Sequence, residues 1–287
     1  AINDIYFGNM PRGGGNLILE PEELQPFLDN EPSARPYVRK LLGSVEFLHN
    51  INRYCLWLTK ADENILKLPE IHKRICKVKE MRLASKAKST RQFAQTPHLF
   101  CQITQHEDNP FLLVPRVSSE RRQYIPIGFM DKDTIVTDLV YIIPNATHYD
   151  FAIITSSMHM SWMRTVCGRL KSDYRYARDL CYNTFPWPTP STQQKEHIEA
   201  LAEAVLMTRE MYPDMPLADM YDPDKMPEPL QAAHTALDIA VDGLYRKKPF
   251  ASDEERLQLL FELYEKLVSE NHHVETISDN EEDESDD

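Results

Sequence analysis

Phe111-Leu112-Leu113-Val114, Tyr124-Ile125-Pro126-Ile127, Ile135-Val136 and Leu139-Val140-Tyr141-Ile142-Ile143 are short β-branched or aromatic runs. Turn material such as Glu107-Asp108-Asn109-Pro110 and Pro144-Asn145 divides them. Runs of this kind predict a strand-rich block over residues 99–155. Pro115 and Pro126 have no N–H for a ladder and belong at edges or bulges. On the N-terminal side, residues 69–95 read as one basic helix. Ile71, Ile75 and Val78 line one face, Pro69 stands near its start and Pro97 closes it. Residues 1–31 are loop-rich around Gly13-Gly14-Gly15, with a helix start over the acidic Glu20–Glu23. On the C-terminal side, residues 156–167 return to helical spacing, and Phe185-Pro186-Trp187-Pro188-Thr189-Pro190 is a stiff extended connector. Beyond it, three amphipathic stripes follow: Ile198 to Leu206, opened by the capping-box pair Ser191 and Gln194; Leu230 to Leu244; and Leu257 to Val268. Three such helices suit a small bundle. The expected fold is α+β: a strand-containing domain over 1–190, a helical domain over 191–270 and an acidic disordered tail over 271–287.

Composition sets the outer limits. The chain has 287 residues, 42% hydrophobic and 27% charged, as a globular protein of about two domains requires. No apolar run is long enough for a transmembrane helix, so no membrane association is expected. The start at Ala1 shows neither a signal peptide nor an initiator methionine, which is expected of a piece of a longer polypeptide. Five cysteines, with no CxxC spacing, point to reduced thiols and a cytoplasmic setting. Net charge is −13, but eight of the acids lie between Glu275 and Asp287. Between Lys73 and Arg91 eight cations face one acid, and between Arg164 and Arg178 five cations face one acid. The total disfavours a promiscuous basic coat, yet phosphate binding follows local patches and leaves a groove open.

Most candidate chemistry reads as structure. Gly13-Gly14-Gly15 has no Gly-Lys-Ser/Thr after it and is a turn, not a phosphate loop. His72 and Cys76 share a helix face, but no second pair stands at metal-ligand spacing. Ser156-Ser157-Met158-His159-Met160-Ser161 lacks a Gly-x-Ser-x-Gly elbow and looks like a packed helix. No Asn/Asp-Pro-Pro-Tyr/Phe tetrapeptide, no Gly-rich loop for S-adenosylmethionine and no nuclease carboxylate set is present, so no catalytic centre is expected. The basic stretches are sharper. Lys86, Lys88 and Arg91 lie among small hydroxyl residues, donor types that grip phosphate oxygens, although a solvated face reads equally well. Arg116-Val117-Ser118-Ser119-Glu120-Arg121-Arg122-Gln123-Tyr124 lies between strands and holds the vocabulary for base edges, Arg for guanine and Gln for adenine. An ion-paired turn, Glu120 with one of the arginines, is the equal alternative. Gly168-Arg169-Leu170-Lys171-Ser172-Asp173-Tyr174-Arg175-Tyr176 interleaves cations with aromatics, which suits backbone contacts.

Six stretches in order resemble the C-terminal part of MmeI-like (type IIL, type IIG) restriction–modification enzymes. They are Gly8-Asn9-Met10-Pro11; Arg53-Tyr54-Cys55-Leu56-Trp57-Leu58; Pro115 to Phe129; Pro144-Asn145-Ala146-Thr147; Thr155 to Trp162; and Gly168 through Pro188. Such enzymes fuse an endonuclease, an adenine-N6 DNA methyltransferase and a target-recognition domain. The resemblance implies that residues 1–190 are a DNA target-recognition domain and that the chemistry lies upstream of Ala1. S-adenosylmethionine, and Mg2+ for any nuclease, would then belong to the parent protein, with no cofactor in this chain. The implied partners are double-stranded DNA and the upstream methyltransferase domain. Lys86, Lys88, Arg91, Arg164, Arg169, Lys171 and Arg175 are the expected phosphate contacts. Arg116, Ser118, Ser119, Arg121, Arg122 and Gln123 are the expected groove contacts. Motif residues shared across a family do not distinguish its targets, so readers of sequence are also expected in Gln102–Asp108 or Met130–Thr137. Two rivals remain open: a protein-interaction scaffold, with its basic patches satisfied by internal acids, and a self-contained hydrolase or nuclease.

Overall fold

A computed structural model describes residues 2–105 and 109–282, the stretch 271–282 as backbone only. In chain order its strands are β1 (Tyr6–Phe7), β2 (Ile18–Leu19), β3 (Val38–Leu42), β4 (Tyr54–Leu56), β5 (Phe111–Pro115), β6 (Val117–Ser118), β7 (Gly128–Met130), β8 (Ile135–Val136), β9 (Val140–Pro144), β10 (Gly168–Leu170) and β11 (Asp173–Arg175). Its helices are α1 (Pro21–Asn30), α2 (Ser44–His49), α3 (Glu63–Leu66), α4 (Pro69–Leu83), α5 (Lys88–Gln92), α6 (His148–Thr155), α7 (Ser157–Val166), α8 (Thr192–Glu210), α9 (Leu217–Met220), α10 (Glu228–Tyr245) and α11 (Asp253–Glu282). The fold is α+β, as expected. The chain forms two compact units. Ala1–Val117, Pro126–Ala146 and Asp214–Met220 make the first; Ser118–Ile125, Thr147–Pro213 and Tyr221–Asp287 make the second.

The first unit carries two four-stranded sheets, in the orders β1-β9-β5-β7 and β2-β4-β3-β8. The first sheet is antiparallel throughout; in the second, β3 pairs with β8 in parallel. Every residue of β5 is buried, because the strand is central and covered on both faces. The second sheet packs Leu19, Leu41 and Leu56 against Phe27 and Leu28 of α1 and Ile71 and Val78 of α4. Three of the four expected strand runs form. Tyr124-Ile125-Pro126-Ile127 stays irregular, since Pro126 cannot donate and restricts the residue before it. The strand block also ends earlier than 155. Thr147 caps α6 by accepting from the Asp150 amide, while the Asp150 carboxylate takes the Thr147 N–H at 2.7 Å.

The expected helix over 69–95 is broken into α4, α5 and a 3-10 turn at Phe93–Gln95. Arg82 is the cause. It is fully buried, and its guanidinium donates to the carbonyls of Arg12, Phe93, Thr96, Pro11 and Leu99 at 2.7–3.2 Å. All five N–H groups are thus used, three of them to fold the chain after Leu83 back onto α4. Burial lowers its pKa from the ordinary value.

The second unit is largely helical. Residues Asp150–Thr155 of α6 are all buried, and a helix apolar on nearly every side needs neighbours on every side. It finds them in α7, α8 and α10, while α11 covers α7. Helices before the proline-rich segment therefore share a core with helices after it, and the compact units do not divide at residue 190. The segment itself is pinned: Tyr149 and Tyr245 donate their hydroxyls to the Pro188 and Pro186 carbonyls at 3.2 and 2.9 Å. Ser191 and Gln194 cap α8 as their spacing predicts. The backbone stays helical to Glu282, past the expected start of the tail at 271; residues 283–287 lie outside the described residues.

Candidate nucleic-acid interface

The expected site residues fall on both units. On the first, Lys86 and Lys88 are exposed beside the α4–α5 break. Arg91 is exposed too, but it donates from Nη1 to the Ser85 and Lys86 carbonyls, both at 2.8 Å, and so closes the break. Arg116 is also held. Its Nη1 donates to the Asp138 carbonyl at 2.6 Å, and its guanidinium lies 4.7 Å from the Phe7 ring centroid. The neighbourhood of the expected sequence readers Gln102–Asp108 is a structural hub. Buried Asn9 donates to Gln105 Oε1 and the Val136 carbonyl, and accepts from the Thr104 and Gln105 amides. Residues 106–108 of that stretch lie outside the described residues.

On the second unit the loop Ser118–Ile125 turns on itself. Ser119 accepts from the Arg122 amide through its carbonyl (3.2 Å) and from the Arg121 amide through Oγ (3.4 Å). Tyr124, 1% exposed, anchors the loop: its hydroxyl donates to Asp238 Oδ2 at 2.7 Å and its ring stacks on His234 at 4.2 Å. Asp238 also accepts from the Ser157 amide and hydroxyl, at 2.7 and 2.6 Å. Burial raises its pKa against these three donors, which pull it down. Arg164 donates to the Gln123 carbonyl at 2.5 Å and to Asp253 at 3.2 Å. Arg121 pairs with Asp224 at 2.5 Å and Asp222 at 3.8 Å, and Arg169 with Glu120 at 3.7 Å. The ion-paired alternative for this loop is therefore present with different partners: Glu120 reaches Arg169, and the loop's own Arg121 takes acids from beyond residue 220. Ser118 is buried, with no hydrogen-bond partner for Oγ among the described residues; Arg122 is half-buried and Gln123 exposed.

The β10–β11 hairpin is the least engaged cationic element of this unit. Arg169 is exposed and lies over the Tyr174 ring at 3.9 Å. Lys171 and Arg175 are exposed and carry no ion pair or hydrogen bond from their side chains among the described residues.

Sequence reasoning missed Asp238, Tyr124 and His234 as a network. The available signal was a carboxylate and a histidine on the buried stripe of α10, beside Leu230, Leu237 and Val241. It also missed that Asn9 is a fully satisfied internal amide. The packed-helix reading of the Ser/His stretch stands: His159 is fully buried, with Nε2 2.9 Å from the Tyr176 hydroxyl. Burial pushes its pKa down to about 3. Cys76 Sγ does lie 3.4 Å from His72 Nε2, but among the described residues no group of three metal-ligating side chains occurs. All five cysteines are free. No helix among the described residues is long and apolar enough to cross a membrane.

The candidate site residues are thus mostly cations on an α+β scaffold, and no group of three metal-ligating side chains occurs among the described residues. Among family models, "MmeI, target recognition domain" matches residues 1–189 and "MmeI, C-terminal domain" matches residues 190–271. The chain belongs to the MmeI family, as its target-recognition and C-terminal domains. It is 44% identical over 265 residues to DNA methyltransferase A of Bacillus subtilis (strain 168), covering 92% of this chain and 30% of that protein. It is similar, with TM-score 0.91 and 45% identity, to the structure of the type IIL restriction–modification enzyme MmeI in complex with DNA. That match covers 94% of this chain and 36% of the other. The chain spans about a third of the length of these relatives.

Proposed function

We propose that this chain is the sequence-reading module of a restriction–modification DNA methyltransferase. It sets register on duplex DNA through phosphates and selects sequence through base edges. Upstream parts of the same polypeptide transfer the methyl group of S-adenosylmethionine to an adenine, and Mg2+ serves any nuclease there. A cytoplasmic location follows from that role. The observation that supports the reading best is the likeness, at TM-score 0.91 over 94% of the chain, to a protein whose structure was obtained with DNA. Lys86, Lys88, Lys171 and Arg175 are the exposed, unengaged candidates for phosphate. Arg121 and Arg169 are exposed but paired with carboxylates, and DNA phosphates compete for them on binding. Arg91, Arg116 and Arg164 support the elements that present the others.

One observation favours the scaffold reading. Arg121, Arg164 and Arg169 are satisfied by internal acids, as a protein without a nucleic-acid partner requires. Salt dependence separates the two. A DNA reader loses affinity linearly in log–log salt, with a slope of roughly 0.9 per phosphate neutralised. Lys88→Ala and Arg175→Ala each reduce that slope by about one if they meet phosphate. Fluorescence anisotropy with duplex oligonucleotides at increasing salt measures it. Absence of salt-sensitive binding refutes the DNA reading and leaves the scaffold.

A further inference from the structure

Cys167 and Cys181 flank the antiparallel pair β10–β11 in sequence and meet at its base. Cys167 closes α7: its amide donates to the Met163 carbonyl at 3.0 Å, and β10 starts at the next residue. Cys181 follows β11, in a widened π-turn at Arg178–Tyr182. The pairing of Gly168 with Arg175 brings the two ends of this excursion together. Ala177 then joins them. Its N–H donates to the Cys167 sulfur, and its carbonyl accepts from the Cys181 amide at 2.8 Å. The two thiols are themselves in hydrogen-bond contact, with Cys181 donating to Cys167. Their surroundings differ. Cys181 is fully buried, its Sγ 3.6 Å from His159 Nε2. Cys167 keeps 8% exposure, at the point where a buried helix gives way to an exposed strand. The Cys181 thiol, with the Ala177 N–H, draws the Cys167 pKa below the usual thiol range against burial; burial holds that of Cys181 well above it.

We infer that Cys167 and Cys181 form a reversible redox site, closed to a disulfide by hydroperoxides and reopened by dithiols. The asymmetry of the pair assigns the roles. The thiolate is the nucleophile, so Cys167, which reaches the surface, attacks the peroxide. Its sulfur takes one peroxide oxygen, the O–O bond breaks, and the other oxygen leaves as water, giving a sulfenic acid. Cys181 then attacks that sulfur. The S–O bond breaks, and the hydroxide that leaves takes the Cys181 proton as a second water. Two thiols are oxidised, and one hydroperoxide is reduced to two waters. His159 is held neutral by burial and has no part in the proton's path. Because the sulfurs already touch, the second step needs no unfolding, and it protects Cys167 from the irreversible sulfinic state. In a reducing compartment such a bond is transient, as a sensor requires. Closure makes a covalent ring around Gly168–Leu180, so β10 and β11 can no longer separate. Cys76 has no such means: its neighbour is the His72 imidazole, not a thiol. The site stands whether or not the chain reads DNA.

The full chain, native and fully reduced, is treated with hydrogen peroxide, blocked with N-ethylmaleimide and digested with trypsin without reductant. Cys167 and Cys181 then fall in separate peptides, Thr165–Arg169 and Asp179–Lys195. The expected result is one linked product of these two peptides, lighter than their sum by two hydrogens, that carries most of the Cys167 and disappears with dithiothreitol. Maleimide capture of Cys167 falls severalfold in step with it. In Cys181→Ala no link forms, and Cys167 gains two oxygens that dithiothreitol does not remove. Half-buried Cys76 gauges the dose. If Cys76 is oxidised while Cys167 and Cys181 both stay free, or if the two oxidise separately without linking, the site is overturned. It is overturned as well if the link forms only after urea unfolding. The parent chain alone decides these outcomes, so a folding defect in Cys181→Ala leaves the test intact.

Discussion

Asn9 shows how a recognisable residue can serve the fold instead of the ligand. It stands in a stretch that carried the family resemblance, yet it is buried and all its amide groups are used internally. Asn9→Leu keeps the volume but strips the acceptor from the Thr104 and Gln105 amides, while the Val136 carbonyl keeps the Asn9 backbone N–H at 2.8 Å. Each bare buried group costs about 1–3 kcal/mol, so the urea midpoint should fall well below the parent at unchanged slope. An unaltered midpoint would mean that the amide is dispensable. Its neighbour Gly8 belongs to the same device. A Cβ there would meet the Thr137 carbonyl oxygen at 2.2 Å, and that contact is with backbone, which cannot swing aside. Arg82 makes a parallel case among the cations. Lysine offers three donors from a single point and cannot span five carbonyls, so Arg82→Lys should destabilise by about 2–4 kcal/mol in the same assay. A loss under about 0.5 kcal/mol would show that charge alone suffices there.

At the scale of elements, legibility followed from whether the deciding force was local. The cap of α8 and the stripes of the later helices were readable because spacing alone sets them. The break between α4 and α5 was not, since it is imposed by carbonyls up to 17 residues from Arg82. The loop Ser118–Ile125 was readable in its donor types but not in its restraint, because Asp222, Asp224, Asp238 and Asp253 arrive from far along the chain. That restraint has a consequence for recognition. Arg or Gln side chains discriminate bases only if the backbone beneath them is fixed. The Tyr124–Asp238 hydrogen bond fixes the loop's last turn. Tyr124→Phe leaves every charge in place and removes only the hydroxyl, which donates to Asp238 and accepts from Gln123 Nε2 at 3.0 Å. On the DNA-reading proposal, it should lower the ratio of cognate to non-cognate affinity severalfold while the salt slope stays the same. Equal loss on both kinds of duplex would mean that the loop binds phosphate without reading sequence.

Over the whole molecule, charge and burial oppose each other in a way that pH exposes. The net charge of −13 diminishes as acids protonate, so charge repulsion alone predicts a gain in stability on mild acidification. The second unit carries a term of opposite sign. His159 and His234 are buried, and burial holds both imidazoles neutral, His159 down to about 3. An unfolded histidine titrates near 6.5, so below that value the unfolded chain binds a proton that the folded one refuses. Stability from these groups is therefore complete above about pH 6.5 and is lost as pH falls, by about 1.4 kcal/mol per pH unit for each histidine. Asp238, whose pKa is raised, works the other way at lower pH, because its folded form takes up a proton first. Comparing parent with His159→Gln cancels that contribution along with every other shared one. Urea melts of the two between pH 7 and about 5 should show the parent losing about 2 kcal/mol more than the variant over the interval. Parallel acid limbs would mean that His159 is protonated in the fold, and with it that the packed His159–Tyr176–Phe185 contact admits a charge.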